Sequence, residues 1–282
     1  MQQKSKMMFL IADSGSTKTD WTLVDGEHQE VVAEYHTQGI NPVHQSGDTI
    51  REILSTVPVS TTPDTIFFYG AGCTEAHIPA MRQLLSDMFQ TSDVEVNSDL
   101  LGAARSLCGR AAGIACILGT GANSCLYDGD RIIRNTPALG YILGDEGSGA
   151  VLGRLFVNAL YKGQLPAALR DTFEQATGLD VSTIINKVYR EPMGNRFLAS
   201  LSTFIGQHLD CVPLRQLVVQ NFRQFFRNNL VPYDASHLPV GAVGSIAWHY
   251  RDLLAEAAAA EGFHLGTIVQ SPMRGLVSYH CS

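Results

Sequence analysis

Short apolar runs open the chain, punctuated by glycine and hydroxyl residues. Phe9-Leu-Ile-Ala12 leads into the polar stretch Asp13-Ser-Gly-Ser-Thr-Lys-Thr19, and Trp21-Thr-Leu-Val24 runs on to Asp25-Gly26 and a third stretch. Apolar runs of this length bounded by turn residues predict strands, and an Asp-Gly pair between such runs predicts a hairpin. The same order returns later. Gly113-Ile-Ala-Cys-Ile-Leu118 is the apolar run, Gly119-Thr-Gly121 the turn, Ala122 to Tyr127 the second strand, and Asp128-Gly129 the hairpin signal. Strand, turn, strand, tight turn, strand thus occurs twice.

Behind each of these heads the spacing of apolar residues becomes helical. It predicts helices over 49–57, 78–89 and 100–108, with a strand from Thr65 into the glycines at 70–72 and another from Val94 to Asp99. Gln38-Gly-Ile-Asn-Pro42 reads as a loop. In the second half the pattern predicts a helix of small residues over 148–161 and several helices between 166 and 230, including 197–208 and 214–229. A strand over 239–243 runs into an Ala-rich helix over 246–261, and a strand over 266–270 precedes a short final helix after Pro272. Alternating β and α elements behind an antiparallel hairpin predict an α/β protein with a mixed five-stranded sheet, flanked by helices, used twice. No low-complexity linker separates the halves, so a cleft between them is the expected ligand site.

Bulk properties narrow the picture. At 282 residues the chain is long enough for two packed cores. A net charge of −7 argues against nucleic acid as a partner, since phosphate backbones need a basic face. No apolar run reaches the roughly 18 residues of a membrane span, and Asp13 interrupts the first one too soon for a signal peptide. The six cysteines (73, 108, 116, 125, 211 and 281) have no CxxC or metal-finger spacing and read as reduced thiols, which points to the cytoplasm.

The candidate chemistry lies in the turns. Gly lets backbone approach a ligand closely, and successive N–H groups in such turns form concave anion sites. Asp13 to Thr19 precedes a strand rather than a helix, so it is not a Walker A loop. Its backbone and hydroxyl donors (Ser14, Gly15, Ser16, Thr17, Lys18, Thr19) suit phosphate, and Asp13 suits a magnesium ion held through water; an ordinary hairpin is the other reading. Gly119, Thr120 and Gly121 form either the matching phosphate turn or a bulge. Asp99 stands between strand and helix, either as a helix cap or as a general base toward a substrate hydroxyl. Asp145 and Glu146, set among the glycines of Leu139-Gly-Tyr-Ile-Leu-Gly-Asp-Glu-Gly-Ser-Gly149, suit hydrogen bonds to sugar hydroxyls or cap the next helix. Gly244-Ser245 makes a close βα turn or a flat bed for adenosine, and Asn41 beside Pro42 is a turn residue or a substrate amide.

Taken together, these segments resemble the actin, Hsp70 and sugar-kinase superfamily. More narrowly they are similar to the BadF/BadG/BcrA/BcrD-type ATPases and their N-acetylglucosamine kinase members, from about Phe9 to the C-terminus. The resemblance implies two actin-like (ribonuclease H-like) domains around a cleft. One would span 1–108, with residues 272–282 returning to it, and the other 109–271, with a helical insertion over about 163–232. It implies ATP and Mg²⁺ as cofactors, Asp13–Thr19 and Gly119–Gly121 as the phosphate motifs, and Gly244 and Ser245 as the adenosine motif. It further implies Asp99 as the catalytic carboxylate, Asn41, Asn123 and Asp145 with Gly140 and Tyr141 around the sugar, and a homodimer. The expected reaction is phosphorylation of an amino sugar, N-acetylglucosamine first, at its 6-hydroxyl; glucosamine or a muramic-acid-type sugar is the alternative substrate. Family members often carry an aromatic residue where this chain has Leu139. A branch of the family activates a protein partner through an iron–sulfur cluster between subunits, but its cysteine contexts are missing, since no Cys stands between Asp145 and Cys211.

Overall fold

A computed structural model describes residues 7–15, 17–59 and 61–282. The backbone divides into two compact units. One takes in the chain up to Ala111 with Gly129–Arg131 and Ser271–Ser282, the other Ala112–Asp128 and Ile132–Gln270.

The first unit is built on β1 (Met8–Ser14), β2 (Lys18–Asp25), β3 (Glu30–Gln38), β4 (Thr65–Gly70) and β5 (Asp93–Ser98), in the order β3-β2-β1-β4-β5. β1, β2 and β3 pair antiparallel, whereas β4 lies parallel to β1 and β5 parallel to β4. Side chains alternate across a strand, so an unbroken apolar run such as β1 requires cover on both faces. Leu10 and Ala12 enter a core with Trp21, Ile66 and Phe68, closed by Ile50 and Leu54 of α1 (Gly47–Ser55) and Met81 and Leu85 of α2 (Ile78–Phe89). Ile11, Val24 and Tyr69 point the other way, onto Met273 and Leu276 of the final helix, Met273–His280. That helix lies against α3 (Asp99–Cys108) so closely that a Cβ at Gly275 would stand 2.8 Å from the Cα of Ser106.

A partly buried polar network ties the same elements together. Arg105 Nη1 donates to Glu95 Oε1 at 2.6 Å and to Tyr69 Oη at 2.7 Å. With that oxygen accepting from Arg105, the Tyr69 hydroxyl is left to donate to His280 Nε2, 2.7 Å away. Burial holds the His280 pKa down, at about 4, so the ring is neutral and stacks on Phe67 at 3.6 Å between centroids.

The second unit repeats the topology. β6 (Gly113–Leu118), β7 (Ala122–Tyr127), β8 (Ile132–Thr136), β9 (Val240–Val243) and β10 (Leu265–Val269) form a sheet in the order β10-β9-β6-β7-β8. β6–β7–β8 is the antiparallel meander, and β9 and β10 are the parallel strands. Both mixed five-stranded sheets predicted from the pattern are therefore present. Nine helices complete the unit among the described residues: α4 (Gly140–Leu143), α5 (Gly149–Tyr161), α6 (Ala167–Thr177), α7 (Val181–Tyr189), α8 (Gly194–Ser200), α9 (Ser202–Gln207), α10 (Val212–Phe225), α11 (Ser245–His249) and α12 (Arg251–Ala260). Gly153 lets α5 approach α8 backbone to backbone, because a Cβ there would stand 2.6 Å from the carbonyl carbon of Leu198.

Three helices differ from their expected form. The one expected over 197–208 begins earlier, at Gly194, and is divided at Leu201. The one expected over 246–261 is interrupted at Tyr250, whose buried hydroxyl is drawn to the backbone carbonyl of Ser202. The one expected over 214–229 starts two residues sooner and widens into a π-helical turn, Phe226–Leu230. The short α4 was not expected. Among the described residues no helix is long and apolar enough to cross a membrane.

Candidate active site

In the first unit the candidate residues gather at the carboxyl ends of the parallel strands, where open α/β sheets bind ligands. The register puts Asp13 beside Tyr69 and Tyr69 beside Asn97, then Ser14 beside Gly70 and Gly70 beside Ser98. Asp13 at the end of β1 and Asp99 immediately after β5 thus leave the same edge.

The first turn divides its residues between building and display. Ser14 and Thr19 are fully buried, and their hydroxyls lie 2.7 Å apart. Ser14 Oγ accepts from the Ile40 N–H at 2.9 Å, and Thr19 Oγ1 donates to the Gln38 carbonyl at 3.0 Å. These two hydroxyls pin the hairpin to the end of β3, while Gly15, Thr17 and Lys18 are exposed. The Gly15 N–H donates to the Lys18 carbonyl at 3.0 Å, closing the turn. Lys18 Nζ sits 2.7 Å from Asp20 Oδ2. Ser16 lies outside the described residues.

Asp99 is the first residue of α3, but it is not the cap. Ser98 holds that role, its Oγ accepting from the Leu101 N–H at 3.2 Å. The Asp99 carboxylate accepts from the Leu100 N–H at 2.9 Å. Burial raises its pKa, and the N–H groups of Leu100 and of Asp99 itself pull the other way. Burial also pushes Asp13 up to about 7; the negative charges of Asp99 and Asp20 add to the rise and Lys18 opposes it. Asn41 stands nearby in the loop after β3, with Oδ1 accepting from the Val43 N–H at 3.0 Å. Gly72, at φ +77°, gives it room, since a Cβ there would lie 2.9 Å from Asn41 Cγ.

Two carboxylates short of positive charge are the donor set that Mg²⁺ accepts, completed by waters and phosphate oxygens. Among the described residues no group of three His, Cys, Asp or Glu side chains assembles into a cage for a metal. The residues present fit a hydrated ion rather than a caged one.

In the second unit the turn after β6, the turn after β9 and the start of α5 form one assembly. The Gly119 N–H donates to the Gly121 carbonyl at 3.0 Å, and the carbonyls of Gly119 and Thr120 accept from Gly149 at 2.8 Å and Ala150 at 3.1 Å. The first free N–H groups of α5 are thereby satisfied by the turn itself. Gly244, at φ +124°, lies against it: a Cβ there would be 2.8 Å from the Leu118 carbonyl carbon and 3.3 Å from Gly119 N. Both features demand glycine. Ser245 then begins α11.

Asp145 reaches the same turn from the other side, its Oδ2 only 3.1 Å from where a Gly121 Cβ would be. Burial pushes its pKa up to about 6; the Ala122 N–H lowers it, the Glu146 charge raises it and the Gly140 N–H lowers it. Asn123 Oδ1 accepts from Asn135 Nδ2 and from the Ser124 N–H, both at 2.9 Å. Leu139, Ile142 and Leu143 are exposed, whereas Tyr141 packs partly on the core. Sequence reasoning missed the amides behind this region, Asn221, Asn228 and Asn229, which hold residues 146–148 from α10 and its π turn.

Two five-stranded sheets of one topology, each with a glycine turn after its first strand, define an actin-type phosphotransfer fold. Comparison with solved structures agrees. A candidate N-acetylglucosamine kinase from Porphyromonas gingivalis is 47% identical, with a TM-score of 0.94, over 97% of this chain and 99% of that one. Another candidate N-acetylglucosamine kinase, from Chromobacterium violaceum, shares the fold at 18% identity and a TM-score of 0.74, over 98% and 99% of the two chains. So does a ROK-family glucokinase from Streptomyces griseus in complex with glucose and AMPPNP, at 14% identity and 0.55, over 96% and 97%. No protein-family model and no curated protein matches the chain. On the first of these likenesses, the chain belongs to the N-acetylglucosamine kinase family of BadF/BadG/BcrA/BcrD type, and it is a sugar kinase.

Proposed function

We propose that the protein transfers the γ-phosphoryl group of ATP to the 6-hydroxyl of N-acetylglucosamine. The observation that carries the substrate is the 47% identity, over nearly the whole chain, to the Porphyromonas gingivalis protein. The site supports it in detail. With Ser98 doing the capping, the Asp99 carboxylate is available to orient the sugar hydroxyl and take its proton. A raised pKa brings it nearer the range in which a carboxylate accepts a proton usefully. Phosphoryl transfer otherwise asks for positioning and charge neutralisation. Backbone N–H groups of Thr17 and Lys18, and those of Thr120 and Gly121, are the donors to phosphate oxygens; the Gly15 N–H is spent on the Lys18 carbonyl. Gly244 and Ser245 bed the adenosine. Asp13 would hold a magnesium ion through water, and the ion would supply charge neutralisation at the phosphates.

Asp145, Asn41, Asn123 and the backbone of Gly140 and Tyr141 make the sugar contacts. An acceptor site built of fixed amides and a carboxylate discriminates by leaving those groups unpaired against the wrong sugar. The test is ADP release from Mg-ATP across N-acetylglucosamine, glucosamine, glucose and N-acetylmuramic acid. The reading requires the highest kcat/KM for N-acetylglucosamine. A preference for glucosamine would overturn the substrate, and no sugar-stimulated release would overturn the reaction. By family the enzyme works as a cytoplasmic homodimer; a monomer in sedimentation equilibrium at micromolar concentration would refute the dimer.

A further inference from the structure

Asp145 stands in the left-handed region, at φ +53°, which non-glycine residues adopt uncommonly and Asp more readily than most. Its backbone is fixed at both ends. The Asp145 N–H donates to the Ala138 carbonyl and the Ser148 N–H donates to the Asp145 carbonyl, each at 3.0 Å. What then fixes residues 146–148 is a set of amides from α10 and its π turn. Asn221, 2% exposed, accepts from the Gly147 N–H at 3.0 Å through Oδ1 and reaches the Ser148 carbonyl through Nδ2 at 3.5 Å. Asn228 Nδ2 donates to Glu146 Oε1 at 2.7 Å and Asn229 Nδ2 to Glu146 Oε2 at 3.3 Å. Gly147, at φ +82°, lies flush on the same helix, since a Cβ there would stand 2.9 Å from Phe225 Cβ. Three consecutive residues after Asp145 are thus gripped by one helical segment. Its widened turn presents two successive amides to a single carboxylate.

We infer that Asn221 is a positioning residue for the acceptor sugar: it locks the 146–148 backbone and so holds Asp145 in the rotamer and left-handed backbone that meet the substrate. The inference rests on the reading of Asp145 as a sugar contact. Removing the amide strands a buried N–H and frees the turn to relax, which misplaces the carboxylate first; the Gly119–Gly121 turn, bonded to Gly149 and Ala150 rather than to residues 146–148, is disturbed less.

The experiment compares Asn221→Leu, Asn221→Asp and Asp145→Asn with the wild type, measuring KM for N-acetylglucosamine, KM for ATP, kcat and melting temperature. Asn221→Leu is expected to raise the sugar KM about tenfold with the ATP KM within about twofold. Asn221→Asp keeps an acceptor for the Gly147 N–H and, when protonated, a donor for Ser148. Its sugar KM therefore approaches the wild-type value at pH 5.5 and exceeds it at pH 8, each read against wild type at the same pH; this variant carries the test if the leucine variant fails to fold. A lowered melting temperature with both KM values unchanged would make Asn221 merely structural and overturn the inference. If Asp145→Asn leaves the sugar KM unchanged, the underlying reading of Asp145 fails instead. If it raises that KM and neither Asn221 variant does, the inference alone fails.

Discussion

Neutralising Asp13 stabilises the ligand-free protein, and the gain grows with pH. The carboxyl sits half-buried at the end of β1, with the charges of Asp99 and Asp20 adding to the effect of burial, and its pKa is pushed up to about 7. In the unfolded chain the same group titrates near 4. Between these values the unfolded state has already lost a proton that the folded state keeps. Stability therefore falls as pH rises from about 4 to about 7, and the full penalty is present above that. A rise of about three pH units corresponds at face value to about 4 kcal/mol. Residual solvent contact at the partly exposed side chain screens it, so about half, roughly 2 kcal/mol, is the reasonable expectation. In Asp13→Asn the penalty vanishes in both states. The variant should exceed wild type by about 2 kcal/mol at pH 8 and by less than about 1 kcal/mol at pH 5. For a chain of this size that corresponds to about 4 °C and about 2 °C in apparent melting temperature. The assay is thermal unfolding followed by circular dichroism in EDTA at both pH values, with phosphotransfer measured in parallel and expected to collapse. An equal shift at pH 5 and pH 8 would refute the argument, because it would mean that Asp13 ionises normally in the fold.

Other outcomes follow from the same geometry. Gly244→Ala forces a Cβ to within 2.8 Å of the Leu118 carbonyl carbon at φ +124°. It should cost on the order of 3 kcal/mol and raise the ATP KM at least tenfold, since strain and displacement of the Gly119 turn act together; an unchanged ATP KM would separate Gly244 from the nucleotide. Tyr69→Phe leaves both Arg105 Nη1 and His280 Nε2 short of a partner. A loss of about 1–3 kcal/mol in unfolding free energy is expected, with kinetics near wild type; full stability would show that the network contributes nothing net. Because His280 is neutral in the fold down to about pH 4 but titrates near 6.5 when unfolded, the wild type loses stability as pH falls from 8 to 5.5, and His280→Gln should cost less at pH 5.5 than at pH 8, by about 1 kcal/mol. An equal cost at both pH values would mean that the ring keeps its ordinary pKa in the fold.

The fold was legible where local pattern and global packing agree. Apolar runs such as Phe9–Ala12 and Ile114–Leu118 are central strands covered on both faces, so every position is hydrophobic and the run stands out. Asp25-Gly26 and Asp128-Gly129 mark their hairpins, and at Gly129 φ is +106°. The division of the Ala-rich helix at Tyr250 was not legible, since no Gly or Pro marks it; the Tyr250 hydroxyl meets the Ser202 carbonyl on α9, far away in sequence. Nor was the π turn at 226–230, for its residues Phe-Arg-Asn-Asn-Leu carry no periodicity that separates it from α-helix. At the site, position alone could not choose between cap and base for Asp99; the bond from the Leu101 N–H to Ser98 Oγ makes that distinction. Ser14 and Thr19 share a polar turn with Thr17, yet burial assigns them to the scaffold. Asn221 could not be found from sequence, because a lone asparagine in an amphipathic helix reads as surface until the turn it holds is seen.

The central claim is that Asp99 takes the proton of the acceptor hydroxyl. It is tested most directly by the turnover of Asp99→Asn at saturating Mg-ATP and N-acetylglucosamine. The substitution keeps the size of the side chain and leaves the Ser98 cap in place, so α3 should remain folded. The account predicts that kcat falls by about 10²–10⁴ with the ATP KM nearly unchanged. Turnover within threefold of wild type would contradict it and reduce Asp99 to a partner of its own helix terminus.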